Sequence, residues 1–317
     1  MIINGAGANF PQPVYARWFE KYSNVDDSVR FNYHGVGSAG GRTMILDGIT
    51  DFGASDVPIS DESQAKSPHA IWHLPTVASA VAICHNLKGF PDVRLDGPAV
   101  AGIFLGRITK WNDPAIAAQN PDVSLPDRDI VVIHPTESGT LTDIFAQYLA
   151  AVSPEWRARF GHQREIAWPV GRDALHNSGV AKLLRETPSS IAFIELSVAN
   201  RSNVRLVALR NAAGNYVRPD AASVTEAAAT ATIPDDLRLS LVNAPGAKAY
   251  PIGIVTWLLV DSQPKSPAKG RKLAAFLKWV YHDGEDLATS IGFVPLPAVI
   301  RERVLARVDA MKLAGPS

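Results

Sequence analysis

Apolar positions in the first third of the chain come in short extended runs, each followed by glycines and then by a helical pattern. "MIIN" leads into "GAGANFP" and on to "PVYARWFEKYS", where Val14, Trp18 and Tyr22 fall at i, i+4 and i+8 and predict a helix with one buried face. "VRFNYH" leads into "GVGSAGG" and then the helical "RTMILDGI", while "DFGASD" predicts a strand closed by a turn. This alternation predicts α/β units whose loops gather at one edge of a sheet, where folds of this class hold their ligands.

Two long apolar extended segments, "IWHLPTVASAVAICHN" and "AYPIGIVTWLLVDS", stand far apart in the chain. Between them lie "SGT", the helical "TLTDIFAQYLAAV", the turn-rich "WPVGRDALHNSG", a helix in "VAKLLRET" and a strand in "SIAFIEL". The economical topology inserts a second lobe into the first, with the two extended segments as crossovers. Residues 1–76 and 254–317 then form lobe one, and residues 77–253 form lobe two. "FLKWVYHDGEDLATSIGFVPLP" and a last helix over about 298–313 return to lobe one. The alanine-rich "AASVTEAAATATIP" predicts a mobile surface helix or loop.

Size agrees with two lobes, because 317 residues exceed the ~250–300 at which a single core stops growing. Lys+Arg and Asp+Glu both total 31, which leaves no global basic field for nucleic acid or an anionic membrane surface. Any anion site must be local. The longest apolar runs fall short of the ~18 residues that a membrane span needs, and a soluble protein is expected. The single cysteine, Cys84, excludes an internal disulfide and, flanked by apolar residues and His85, is expected to fill core. Met1 leads straight into "IINGAGANF" without a charged or apolar leader, which fits either a cytoplasmic protein or one whose export signal has been removed.

Candidate chemistry concentrates at three loop-to-helix junctions: Asn9 and Phe10 before "PQPVYARW", Ser38 before "AGGRTM", and Ser138, Gly139 and Thr140 before "LTDIFAQYL". Helix N-termini carry unsatisfied N–H groups at the positive end of a dipole. Three of them converging would hold a small oxyanion without a full positive charge. Asp56 narrows the choice, since a carboxylate repels a fully deprotonated anion but accepts a hydrogen bond from one that keeps a proton. That favours hydrogen phosphate or hydrogen arsenate over sulfate. Other readings compete. Gly35, Gly37 and Gly40 spell G-x-G-x-x-G with Asp56 about 20 residues on, the form of a dinucleotide-dependent oxidoreductase. "VGSAG" is one residue from a nucleophile elbow centred on Ser38, with Val36 where a small residue is needed. As plain structure, the glycines make a tight turn and Asp56 caps the helix of "VPISDESQ".

Taken in order, "INGAGANFPQPVYARWFEKY", "GVGSAGG", "DFGASDVPIS", "GIFLGRITKWNDPAIAAQNP", "LPDRDIVVIHPTESGTLTDIFAQYL", "AWPVG" and "SIAFIEL" resemble the periplasmic phosphate-binding proteins of bacterial phosphate ABC importers, the PstS-like family. The resemblance covers nearly the whole chain. It implies an α/β two-lobed periplasmic binding protein fold of type II, with two hinge-strand crossovers and the ligand cleft between the lobes. It also implies delivery of phosphate to ABC permease subunits, a periplasmic location with the signal removed, a monomer, and no catalytic residue, metal or cofactor. Carried over by motif, the ligand contacts are Asn9, Phe10 (through its backbone), Ser38, Asp56, Ser138, Gly139 and Thr140.

One stretch departs from the family. Where it reads Arg-Ala-Asp-Gly-Ser-Gly-Thr, this chain has His134, Pro135, Thr136, Glu137, Ser138, Gly139 and Thr140. Losing both the arginine and its aspartate leaves neither charge unpaired, yet it removes a bidentate guanidinium that histidine does not imitate. Three compensations are open: a protonated His134 beside the anion, Arg42 one turn after Ser38, or Arg172 in "VGRDALHNSG". A Glu137 facing the anion would instead point to the same fold retuned to another anion or an organic ligand.

Overall fold

The structure, a computed structural model, describes residues 1–136, 139–161 and 166–311. The chain divides into two compact units, one of Met1–Ala78, Thr232–Leu239 and Val255–Ser317, the other of Ser79–Ala231 and Ser240–Ile254. Two of the changes from unit to unit fall inside long extended strands.

The first unit begins with β1 (Ile2–Gly7), α1 (Gln12–Tyr22), β2 (Arg30–Gly35), α2 (Gly37–Leu46) and β3 (Phe52–Ser55). Its sheet runs β2, β1, β3 and then the strand Gly253–Asp261; β1 is parallel to both neighbours and the last strand is antiparallel to β3. Val14, Trp18 and Tyr22 are buried along α1, as the spacing requires, and the Trp18 indole donates to Gly284 O at 2.8 Å. Phe31 and Phe276 meet with centroids 4.5 Å apart, and Tyr33 and Phe52 stack at 6.1 Å.

Helix α2 starts at Gly37, inside the glycine motif and not after it, so Ser38 is its second residue. The reason is a close approach of backbones. A Cβ on Gly41 would come within 2.5 Å of both Ala54 O and Gly7 Cα, so the helix lies directly on β1 and β3. Gly41→Ala is expected to destabilise the protein by about 1–3 kcal/mol, since backbone atoms must move to admit the methyl. A urea midpoint equal to wild type would show that α2 shifts freely.

The segment Thr232–Leu239, expected in lobe two, belongs with the first unit. Its carbonyls are held there: Leu237 O accepts from Trp257 Nε1 at 2.8 Å and Ile233 O from Arg303 Nη1 at 2.7 Å. Arg238 Nη1 donates to Ile59 O at 3.0 Å. The last helix is Ala298–Asp309, and Leu313, to which it was expected to extend, lies outside the described residues.

The second unit takes up β4 (Ile71–His85) from Ser79 onward. Strand Ser190–Glu195 pairs antiparallel with β4, and Val131–Pro135 is parallel both to Ser190–Glu195 and to the edge strand Arg172–Ala174. Every residue of Ser190–Glu195 is buried, which explains its unbroken apolar run. Phe145 stacks on Phe193 at 4.2 Å, joining helix Thr140–Val152 to the sheet. Cys84 is fully buried, and desolvation pushes its thiol far above the ordinary value. The alanine-rich stretch is a helix at the surface, with Ala221, Ala222, Thr225 and Ala229 exposed and one face buried. It forms the helix Ala221–Thr230, opened by a reciprocal Asp220–Ser223 capping box, with Val224, Ala227 and Ala228 buried.

Candidate functional site

In the first unit the candidates collect where β1, β2 and β3 end. The antiparallel register pairs Trp257 with Ser55 and Leu258 with Ala54, so the next rung sets Thr256 against Asp56. Asp56 is 2% exposed. Thr256 Oγ1 donates to its Oδ1, Ser38 Oγ donates to its Oδ2 at 3.3 Å, and its own N–H donates to Ser38 Oγ at 3.1 Å. The capping alternative does not hold, because the helix Asp61–Ala65 is capped by Ser60, whose Oγ accepts from Ser63 N at 3.2 Å. Arg42 donates through Nη1 to Ser55 Oγ at 3.0 Å and Val57 O at 3.2 Å, so its guanidinium clamps the residues on both sides of Asp56. Burial pushes the Tyr15 and Tyr33 hydroxyls well above the ordinary tyrosine range, which keeps both neutral; the Thr76 hydrogen bond opposes this at Tyr15, Tyr15 adds to it at Tyr33, and the Asp56 charge adds a smaller push at both.

Asn9 and Phe10 occupy the turn between β1 and α1, beside this group. Ala8 N donates to Ala54 O at 3.0 Å and Val36 N to Gly7 O at 2.9 Å, which ties that turn to the ends of β2 and β3. The Phe10 ring packs on Phe293 with centroids 5.0 Å apart, so its side chain is engaged in packing. The structure thus brings together Asn9, Phe10, Ser38, Arg42 and Asp56 on the first unit.

The second unit holds the rest. His134 lies in strand Val131–Pro135, in register with Asp173. Its ring stacks on Trp168 with centroids 5.0 Å apart and planes at 18°, and its Nδ1 is 3.1 Å from Pro135 O. Burial pushes the His134 pKa below its ordinary value and outweighs the opposing pull of Pro135 O and the Asp173 carboxylate. In the ligand-free protein this shift favours the uncharged ring, and the stacking on Trp168 makes His134 a packed group. Thr136 Oγ1 donates to Asp173 Oδ2 at 2.9 Å, and that hydrogen bond holds the Asp173 carboxyl below the usual range. A carboxylate, that of Asp173, thus stands on the neighbouring strand beside Thr136. Arg172, in register with Ile133, is exposed one residue from the His134–Asp173 rung.

Gly139 is the N-cap of helix Thr140–Val152, in extended backbone, and a Cβ built there would meet nothing within 4 Å. Thr140 is the first residue of that helix, whose first N–H groups have no partner within the helix ladder. Ser138 and Glu137 lie outside the described residues. No group of three or more His, Cys, Asp or Glu that could hold a metal occurs among the described residues.

Three residues beside the candidates escaped the motif search: Thr256, Trp168 and Asp173. Thr256 carries a signal, being the one hydroxyl inside the apolar run "GIVTWLLV". Trp168 stands in the family-like stretch "AWPVG" and Asp173 beside Arg172 in "VGRDALHNSG", but neither pattern marks its residue as a partner of positions 134 and 136.

The sequence profile of the PBP superfamily domain matches residues 2–283. The phosphate-binding protein PstS of Xylella fastidiosa (strain Temecula1) is 35% identical over 308 residues, covering 96% of this chain and 84% of the relative. PstS of Haemophilus influenzae (strain Rd) is 33% identical over 300 residues, covering 93% and 89%. Among solved structures, a high affinity periplasmic phosphate-binding protein bound with phosphate superposes with a TM-score of 0.71 at 22% identity, over 100% of both chains, which shows the shared fold. With the strand order, the buried Asp56 and the helix junctions already in place, these similarities mean that the chain belongs to the PstS family of phosphate-binding proteins in the PBP superfamily.

Proposed function

We propose that this protein is an extracytoplasmic solute-binding protein that takes up phosphate, or a closely related protonated tetrahedral oxyanion, and delivers it to an ABC permease. The observation that carries this reading is the buried Asp56 carboxylate beside the N-terminus of α2, with Ser38 on one oxygen and Thr256 on the other. An acceptor with a negative charge, set among N–H and hydroxyl donors, suits an anion that still owns a proton. Asn9, Phe10, Ser38 and Asp56 of the first unit, and Ser138, Gly139 and Thr140 of the second, are the proposed contacts. Binding and release require no covalent step. A dinucleotide role is not favoured: the acid that would read a ribose is buried against Ser38 and Thr256, and the relatives compared are named phosphate-binding proteins.

The deciding experiment is thermal unfolding of refolded, ligand-stripped protein with phosphate, arsenate, sulfate, molybdate, phosphonates and NAD. A ligand at ~1,000 times its dissociation constant adds about 4 kcal/mol, a visible rise in midpoint. A response to phosphate and arsenate but not sulfate supports the proposal; silence with every oxyanion removes it.

The alternative, the same fold retuned to another ligand, starts from His134 stacked on Trp168 where the resemblance implies an arginine, and the phosphate-binding relatives do not favour it. His134→Arg combined with Thr136→Asp separates the two. A charge-assisted hydrogen bond regained is expected to tighten phosphate binding about 10–100-fold by calorimetry. A loss of binding would mean that the Trp168–His134 and Thr136–Asp173 pairs were built for something else.

A further inference from the structure

The one hydroxyl within the apolar strand Gly253–Asp261 points at the carboxylate on which phosphate recognition rests. Thr256 is 0% exposed, and its Oγ1 donates to Asp56 Oδ1. The other carboxylate oxygen, Oδ2, accepts from Ser38. Thr256 is itself held in place: its carbonyl accepts from Thr76 Oγ1 at 3.2 Å, and Thr76 Oγ1 lies 3.2 Å from the Tyr15 hydroxyl. Tyr15 and Thr76 are buried too. A continuous buried chain, Tyr15 to Thr76 to Thr256 to Asp56, links α1, β4 and the strand Gly253–Asp261 within the first unit.

We infer that Thr256 is a positioning residue for anion discrimination, fixing Asp56 in one orientation so that Oδ2 is the oxygen that reads the ligand's proton. This rests on the phosphate reading above. A hydroxyl that donates to a buried carboxylate favours its ionised form. Without that donor the carboxyl takes a proton more readily and becomes a donor itself, which a fully deprotonated anion such as sulfate accepts. Among the described residues, the other charged or titratable groups around it include Arg42, clamped to Ser55 and Val57, and the neutral Tyr15 and Tyr33.

The test is a carbon-detected NMR titration of Asp56 in the ligand-free protein, with calorimetry of inorganic phosphate and sulfate, for wild type, Thr256→Val and Thr256→Ser. In the valine variant the pH of half-protonation of Asp56 rises by about 1–2, and the phosphate-to-sulfate preference falls about 10–100-fold. Serine, which restores the hydroxyl, restores both. If the valine variant does not fold, Thr256→Ala removes the hydroxyl without crowding and gives the same result. A merely structural threonine would lower stability while leaving the Asp56 titration and the anion preference unchanged, and that outcome overturns the inference. The titration needs no ligand, so a wild type that ignores phosphate is recognised separately; it overturns the functional reading and the discrimination role with it.

Discussion

Replacing Asp56 by asparagine is expected to reduce the preference for phosphate over sulfate by about a thousandfold or more. A buried site built to hydrogen-bond a ligand group rejects the analogue lacking that group by ~10⁴–10⁵, because its own polar atom is left without a partner. Asp56 is such an atom: it is 2% exposed, with Thr256 on one oxygen and Ser38 on the other. Asparagine keeps the shape and can still accept from Thr256, but it places N–H groups where a carboxylate oxygen stood. Hydrogen phosphate then loses a charge-assisted bond, about 10–100-fold in affinity, while sulfate gains a donor and loses a repulsive charge. Titration calorimetry with both anions at neutral pH measures the ratio directly. If the ratio stayed at its wild-type value, Asp56 would not be the group that senses the ligand's proton.

The second large effect concerns stability in mild acid. His73 and His85 are both buried, and desolvation is the first cause that pushes each pKa to about 4. Arg238 and Arg42 add to this at His73 and Asp236 opposes it; Arg205 and Arg218 add to it at His85 and Asp92 opposes it. Geometry agrees with neutral rings: His73 Nε2 accepts from Ile59 N at 2.9 Å, and His85 Nδ1 accepts from Leu87 N at 3.2 Å. Protonation of either nitrogen would destroy that bond. An unfolded histidine titrates near ~6.5, so below that pH the unfolded chain binds protons that the folded chain refuses. The stabilisation is therefore complete above pH ~6.5 and is lost as pH falls through the folded value of about 4. Each histidine accounts for about 3 kcal/mol, and with no shared partner the two should add. His134 is pushed in the same direction.

Urea midpoints taken at steps between neutral pH and pH ~4.5 should fall steeply, and His85→Gln should flatten the slope. Carboxylates contribute lower down, since Asp26, held by Lys272, is depressed to about 2 from an ordinary carboxylate value of 3.8. A flat profile across the histidine range would mean that these rings gain protons without unfolding.

The α1 stripe of Val14, Trp18 and Tyr22 and the strand-glycine-helix order of the first unit could be read directly, since both are local periodicities. The helix Thr140–Val152 was legible to the residue. The start of α2 was not, because the reason that Gly37 through Gly41 are helical is the approach of Gly41 to Ala54 and Gly7. Nor was the burial of Ala221–Thr230, whose alanines are small enough to suit either solvent or a packed face.

The candidate site divides in the same way. Asn9, Phe10, Ser38, Asp56, Gly139 and Thr140 announced themselves as residues of helix junctions and family motifs, and the departure of positions 134 and 136 from the arginine and aspartate that the resemblance implies was visible as a change of letters. What replaced that pair was not visible. The sequence by itself determined the family, the succession of α/β units and the place of the departure, because motifs and periodicity are written in neighbouring residues. Only the tertiary structure decided that Asp56 is held by Thr256, 200 residues away, and that the His134 ring stacks on Trp168 with its pKa pushed down by burial. Cross-strand register joins distant positions, and desolvation depends on everything packed around a group; no local pattern encodes either.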